Sequence, residues 1–170
     1  MRNSISALLV ATGLSVSGMA MAVTLPPVSF TVTATVNKIC TGASATNLAF
    51  GGYTPGAGTV TASSAISVKC TKTTPFTVSL SAGTTTGGTM TQRLMTDASS
   101  NTLQYNLYTT SGLSTVFGDG TLSSQTQGGT GIGLGTAVSV GVFGQLPDNA
   151  TNQNAAPGSY SDTITATITY

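Results

Sequence analysis

From residue 28 to residue 37, apolar and small polar side chains alternate without a break. Val28, Phe30, Val32, Ala34 and Val36 fall on one phase, and Ser29, Thr31, Thr33, Thr35 and Asn37 on the other. A period of two sends alternate side chains to opposite faces of an extended chain, so residues 28–40 read as a β-strand with one apolar face. Each large apolar side chain taken out of water contributes about 1.5–3 kcal/mol, against the entropy lost when the segment is ordered. Such a face needs something to cover it. A strand at this place either joins its own sheet or reaches into a neighbour's, and the two outcomes are a soluble domain and a fibre.

The same alternation returns in shorter runs: Ile66, Val68 and Cys70; Phe76, Val78 and Leu80; Leu103, Tyr105 and Leu107; Val138, Val140 and Val142. Residues 48–53 read as a short strand stopped by Pro55-Gly56, residues 93–95 as a weaker one, and Val116-Phe117 as the return arm of a hairpin. Residues 123–136, rich in Gly, Ser, Thr and Gln, read as a flexible surface loop, and residues 146–158 as a long polar connection. The last strand runs over residues 160–170 with Asp162 near its start. Seven or eight short strands at this spacing predict an antiparallel β-sandwich.

Residues 1–22 read as a signal peptide. Arg2 gives a positive start, residues 5–16 an apolar stretch, and Ala20-Met21-Ala22 a small-x-small cleavage site. Residues 23–170 then form one domain. Thr, Ser and Gly dominate, and Glu, His and Trp do not occur, which favours strand over helix. Beyond Arg2, Lys38, Lys69, Lys72 and Arg93 balance Asp97, Asp119, Asp148 and Asp162. A neutral balance offers no footprint for nucleic acid or an anionic membrane, and a sparsely charged surface favours association.

Two cysteines, Cys40 and Cys70, in an exported chain read as one disulfide. Closing a loop of about 30 residues stabilises by roughly 3.5–4 kcal/mol in the chain-entropy model. Metal binding has two thiols and no imidazole to use. Ser67 and Lys69 on one strand face make a poor nucleophile and base, and no general base of the His or Glu type exists. The glycine-rich run of residues 128–135 lacks the Lys-Ser/Thr and the following helix of a phosphate loop. The residues therefore predict no enzyme, no cofactor and no small-molecule substrate.

Several phrases in order carry a resemblance: Leu48-Ala49-Phe50-Gly51-Gly52-Tyr53 after Cys40, Ile66-Ser67-Val68-Lys69-Cys70-Thr71, Leu103-Gln104-Tyr105-Asn106-Leu107-Tyr108, Phe117-Gly118-Asp119-Gly120-Thr121, and the ending from Pro157-Gly158 to Ile168-Thr169-Tyr170. Together they resemble the spore coat protein U domain of archaic, Csu-type chaperone-usher pilus subunits. The resemblance implies an immunoglobulin-like sandwich that lacks its final strand, with a groove first filled by a periplasmic chaperone and then by the leading segment of the next subunit. It implies Val28, Phe30, Val32, Ala34 and Val36 as donor side chains. Tyr160, Ile164, Ala166, Ile168 and Tyr170 then mark the groove edge and the chaperone-binding end. The partners implied are neighbouring pilus subunits, the chaperone and an outer-membrane usher, at the periplasm and then the cell surface, in adhesion and biofilm formation. Two alternatives remain open on sequence: residues 28–36 as the domain's own first strand, and a secreted or coat protein with a complete sandwich that binds a surface or carbohydrate as a monomer.

Overall fold

The computed structural model describes residues 21–170; the expected signal peptide lies almost wholly outside them. The chain divides between Thr35 and Val36 into two units. In the first, residues 21–35 carry no regular secondary structure and are exposed throughout. The second holds eight strands: β1 (Cys40–Ala45), β2 (Val60–Cys70), β3 (Pro75–Leu80), β4 (Arg93–Thr96), β5 (Thr102–Tyr108), β6 (Gln127–Thr130), β7 (Val138–Leu146) and β8 (Ala166–Thr169), with one helical turn, α1 (Ala150–Gln153).

Two antiparallel sheets result, ordered β1-β2-β7-β5-β4 and β6-β3-β8. The alternation seen in the sequence sets which face each strand buries. Ile66, Val68 and Cys70 of β2, Phe76, Val78 and Leu80 of β3, Tyr105 and Leu107 of β5, and Val140 and Val142 of β7 form one core between the sheets. The order β1-β2-β7-β5 against β3-β8 is that of an immunoglobulin-like sandwich, A-B-E-D facing C-F. A complete sandwich of this kind has a further strand beside F. Among the described residues, β8 is paired with β3 on one side only.

The disulfide joins Cys40 and Cys70, which sit directly opposite in the β1–β2 ladder with Cα atoms 4.0 Å apart. It ties the start of β1 to the end of β2, with Cys70 fully buried.

Four expectations change. Residues 28–39 form no strand, and the first ladder begins at Cys40, because a lone alternating segment gains backbone hydrogen bonds only beside a partner. Residues 48–53 are irregular too. Leu48 and Phe50 instead lie over Gly144, where a Cβ would meet Leu48 Cδ2 and Phe50 Cζ at 2.9 Å each. Phe50 also stands edge-on to Tyr105, with ring centroids 6.1 Å apart. Third, the stretch expected as a flexible loop contains β6, which pairs with β3. Its Gly129 lies against the Phe76 ring, which leaves no room for a side chain there.

The final strand is the fourth. Only Ala166–Thr169 pairs with β3. Residues 160–165 cross between sheets: Ser161 bridges Thr96 of β4 through two backbone bonds of 3.0 Å, and Ser81 N donates to Thr165 O at 2.9 Å.

Candidate functional site

Among the described residues β8 has a ladder partner on one side only, and its apolar row is incompletely covered. Ile164, Ala166 and Ile168 pack against the core, yet each remains half-buried, whereas Val78 and Val68 on strands with neighbours on both sides are sealed. Thr165, Thr167 and Thr169 face outward. Cys40, at the start of β1, an edge strand of the facing sheet, is likewise half-buried against the core. An open sheet edge carrying a half-covered apolar row is a template for another extended chain. Of the residues expected at this edge, Ala166 and Ile168 lie on β8 and Ile164 just before it. Tyr160 lies outside β8, with its hydroxyl donating to Ala156 O at 2.7 Å, and Tyr170 follows β8 with 59% exposure.

The segment expected to supply a strand is accessible. Val28, Phe30, Val32 and Val36 are between 82% and 94% exposed, and Ala34 is exposed as well.

The root of β8 is held by Asp162. Its Oδ1 accepts from Thr84 N at 2.8 Å, Thr85 N at 3.1 Å and both threonine hydroxyls at 3.1 Å, and its Oδ2 accepts from the Tyr105 hydroxyl at 2.6 Å. Desolvation pushes the Asp162 carboxyl up, but these donors outweigh it and hold it below the usual carboxylate range. Burial, then Asp162 itself, drives the Tyr105 phenol far up. A depressed carboxyl contributes stability above its unfolded value of about 3.9 and loses it as pH falls through the lower folded value. Melting temperature should therefore drop below about pH 4, and Asp162→Asn should lower it at neutral pH while flattening the acid limb. An acid limb unchanged in the variant would remove Asp162 from this role.

Beside it lies Arg93, which the sequence reading placed on a weak strand and counted only in the charge balance. Arg93 is fully buried. Its Nε and Nη2 donate to Ser81 O at 3.0 and 2.8 Å, its Nη2 to Phe117 O at 2.8 Å, and its Nη1 to Asn106 Oδ1 at 2.7 Å. Desolvation lowers its pKa, opposed by Tyr105, Asp162 and Asp119. One guanidinium thus ties the end of β3 to β5 and to the chain beyond it.

Asn152 plays a comparable part on β5. Its amide group accepts from Gln104 N at 2.8 Å and donates to Gln104 O at 2.9 Å, so a side chain takes the place of a ladder partner. Neither residue type announces this in a sequence.

The Spore Coat Protein U domain model matches residues 27–167. The chain belongs to the spore coat protein U domain family. No curated protein matches it. Among solved structures, this family member is similar to a chain of the CsuC–CsuE chaperone–tip adhesion subunit pre-assembly complex from archaic chaperone-usher Csu pili of Acinetobacter baumannii. Identity is 22% and the TM-score 0.54, over 80% of this chain and 40% of that one. At that identity the likeness is one of fold, and this spore coat protein U domain spans well under half of the chain it matches.

Proposed function

We propose that this chain is a structural, non-enzymatic subunit of a chaperone-usher pilus that polymerises by donor-strand complementation. In this reading the Val28, Phe30, Val32, Ala34 and Val36 side chains of one copy enter the seam beside Ile164, Ala166 and Ile168 of the next. A periplasmic chaperone occupies the seam first, and an outer-membrane usher passes the subunits outward. Export through residues 1–22 delivers the chain to the periplasm, and the fibre stands at the cell surface in adhesion and biofilm formation. Neither nucleic acid nor a small-molecule substrate enters this reading.

The observation that carries it is the unpaired edge of β8 with its half-buried apolar row. Family membership and the likeness to a chain from a chaperone–subunit complex support it, as does a leading segment with an alternating apolar face exposed to solvent.

Replacing Phe30 and Val32 with Asp tests it. Two carboxylates forced into an apolar seam without partners cost several kcal/mol each. Electron microscopy of cells carrying the double variant should show no fibres, while the subunit still co-purifies with its chaperone. Normal fibres from the variant would refute the donor assignment.

A further inference from the structure

Charge in the folded unit is sorted along the strand axis. Lys69 lies one residue before the end of β2, paired with Thr41, and Lys72 sits in the turn that leads to β3. Lys38 precedes Ile39, whose carbonyl accepts from Thr71 N at 2.9 Å, so it belongs to the same end. Every aspartate lies at the other. Asp148 follows Leu146, which pairs with Val60 at the start of β2. Asp97 follows Thr96, the partner of Thr102 at the start of β5. Asp119 follows Gly118, whose carbonyl accepts from Leu80 N at the end of β3, and Asp162 bonds to Thr84 and Thr85 beyond that end.

Arg93 is buried at the aspartate end, within reach of the Asp162 and Asp119 charges, so in side-chain charge three lysines give one end +3 and four aspartates less one arginine give the other −3. Lys38, Lys72 and Asp119 are exposed, and Lys69, Asp97, Asp148 and Asp162 half-buried. Side-chain hydrogen bonds from Asn101, Thr121 and Tyr53 hold Asp97, Asp119 and Asp148 respectively below the usual carboxylate range, so this end keeps its charge.

The direction of β8 gives this sorting a consequence. β8 runs from Ala166, opposite Leu80, to Thr169, opposite Thr77, and so from the aspartate end to the lysine end. A strand antiparallel to its free edge enters at the lysine end and leaves at the aspartate end. Residues 28–36 of a second copy laid there would bring Val36 out beside the acceptor's aspartates. Four residue steps later Cys40 opens the donor's own β1, at the donor's lysine end. Four steps span at most about 14 Å, close to the Debye length of about 10 Å at 0.1 M salt.

We propose that the lysine end of one copy and the aspartate end of the next form an electrostatic head-to-tail interface between copies of this chain. The proposal rests on the donor-strand reading above. A parallel donor would set lysine end against lysine end, so the same charges select the antiparallel direction. Complementary poles act chiefly on encounter rate and orientation.

The test is the polymerisation rate of the purified exported chain, followed by light scattering at about 20 mM and about 500 mM NaCl. Polymerisation should be about tenfold slower at high salt. Lys69→Glu with Lys72→Glu, which takes the lysine end from +3 to −1, should slow it at least comparably at low salt and reverse the sign of the salt dependence. Adding Ser99→Lys and Asp119→Lys to that pair brings the aspartate end from −3 to 0, which removes the repulsion and should return the rate to about that of the unmodified chain at high salt. Thermal melts confirm folding of each variant; if one is unfolded, the salt dependence of the unmodified chain decides alone. A rate indifferent to salt, in a chain whose polymers Phe30→Asp still abolishes, overturns the interface and leaves strand donation standing. Polymers that survive Phe30→Asp, or none under any condition, overturn both.

Discussion

A variant with a second copy of residues 28–36 joined by a short flexible linker after Tyr170, and with Phe30 and Val32 replaced by Asp in the leading copy, should be a stable monomer. The physical reason is effective concentration. A tethered strand meets the β8 edge at millimolar effective concentration, where a second subunit has to diffuse to it. Main-chain hydrogen bonds along β8 supply affinity, and the alternate apolar side chains cover the half-buried row of Ile164, Ala166 and Ile168. Of the gross burial free energy, the entropy of ordering the strand takes most. A net gain of about 3 kcal/mol is expected, which raises the melting temperature by on the order of 10 °C for a domain of this size. The slope of unfolding against denaturant should rise as well, because more surface is exposed on unfolding. Calorimetry and size-exclusion chromatography check both. An unchanged melting temperature and slope in the extended chain would mean that the seam takes no strand of this sequence.

Arg93→Ala should be the most damaging single substitution in the folded unit. The side chain is fully buried, and its hydrogen-bond partners are the Ser81 and Phe117 carbonyls and the Asn106 amide oxygen. Truncation takes the guanidinium donors from the Ser81 and Phe117 carbonyls, leaves Asn106 Oδ1 with only the Leu107 N–H, and opens a cavity where the two sheets are tied together. A loss of about 3–5 kcal/mol is expected, read by urea denaturation. Lysine should not rescue it, since a single ammonium cannot reproduce the planar fork that serves Ser81, Phe117 and Asn106 at once. A loss under about 1 kcal/mol would show that water takes over these acceptors, and would remove Arg93 as the tie between sheets.

Strands with an apolar row on one face were legible from the sequence because their alternation is the imprint of the core. β2, β3, β5 and β7 all show it, and Cys70 closes β2 opposite Cys40 at the start of β1. β6 was not legible: Gln127-Gly128-Gly129-Thr130 has no apolar phase, and it pairs because Gly129 gives way to the Phe76 ring. Leu48 and Phe50 alternate like a strand but spend that pattern on Gly144 and Tyr105. For residues 28–39 the alternation is plain and the ladder is absent, since a strand is a property of two segments and the sequence of one names only half. Arg93, Asn152 and Asp162 act through neighbours far along the chain, so their residue types predict solvent where the fold has given them partners. The sorting of lysines from aspartates was hidden for the same reason. It emerges only when the ladders fix which chain ends lie together.

Amide hydrogen exchange along β8 tests the central claim most directly. In the isolated subunit the amides of residues 166–169 that point away from β3 should exchange fast, and in the assembled fibre they should be protected by orders of magnitude, together with alternate amides of residues 28–36. Protection of those β8 amides already complete in the isolated subunit, or absent in the fibre, would contradict the account.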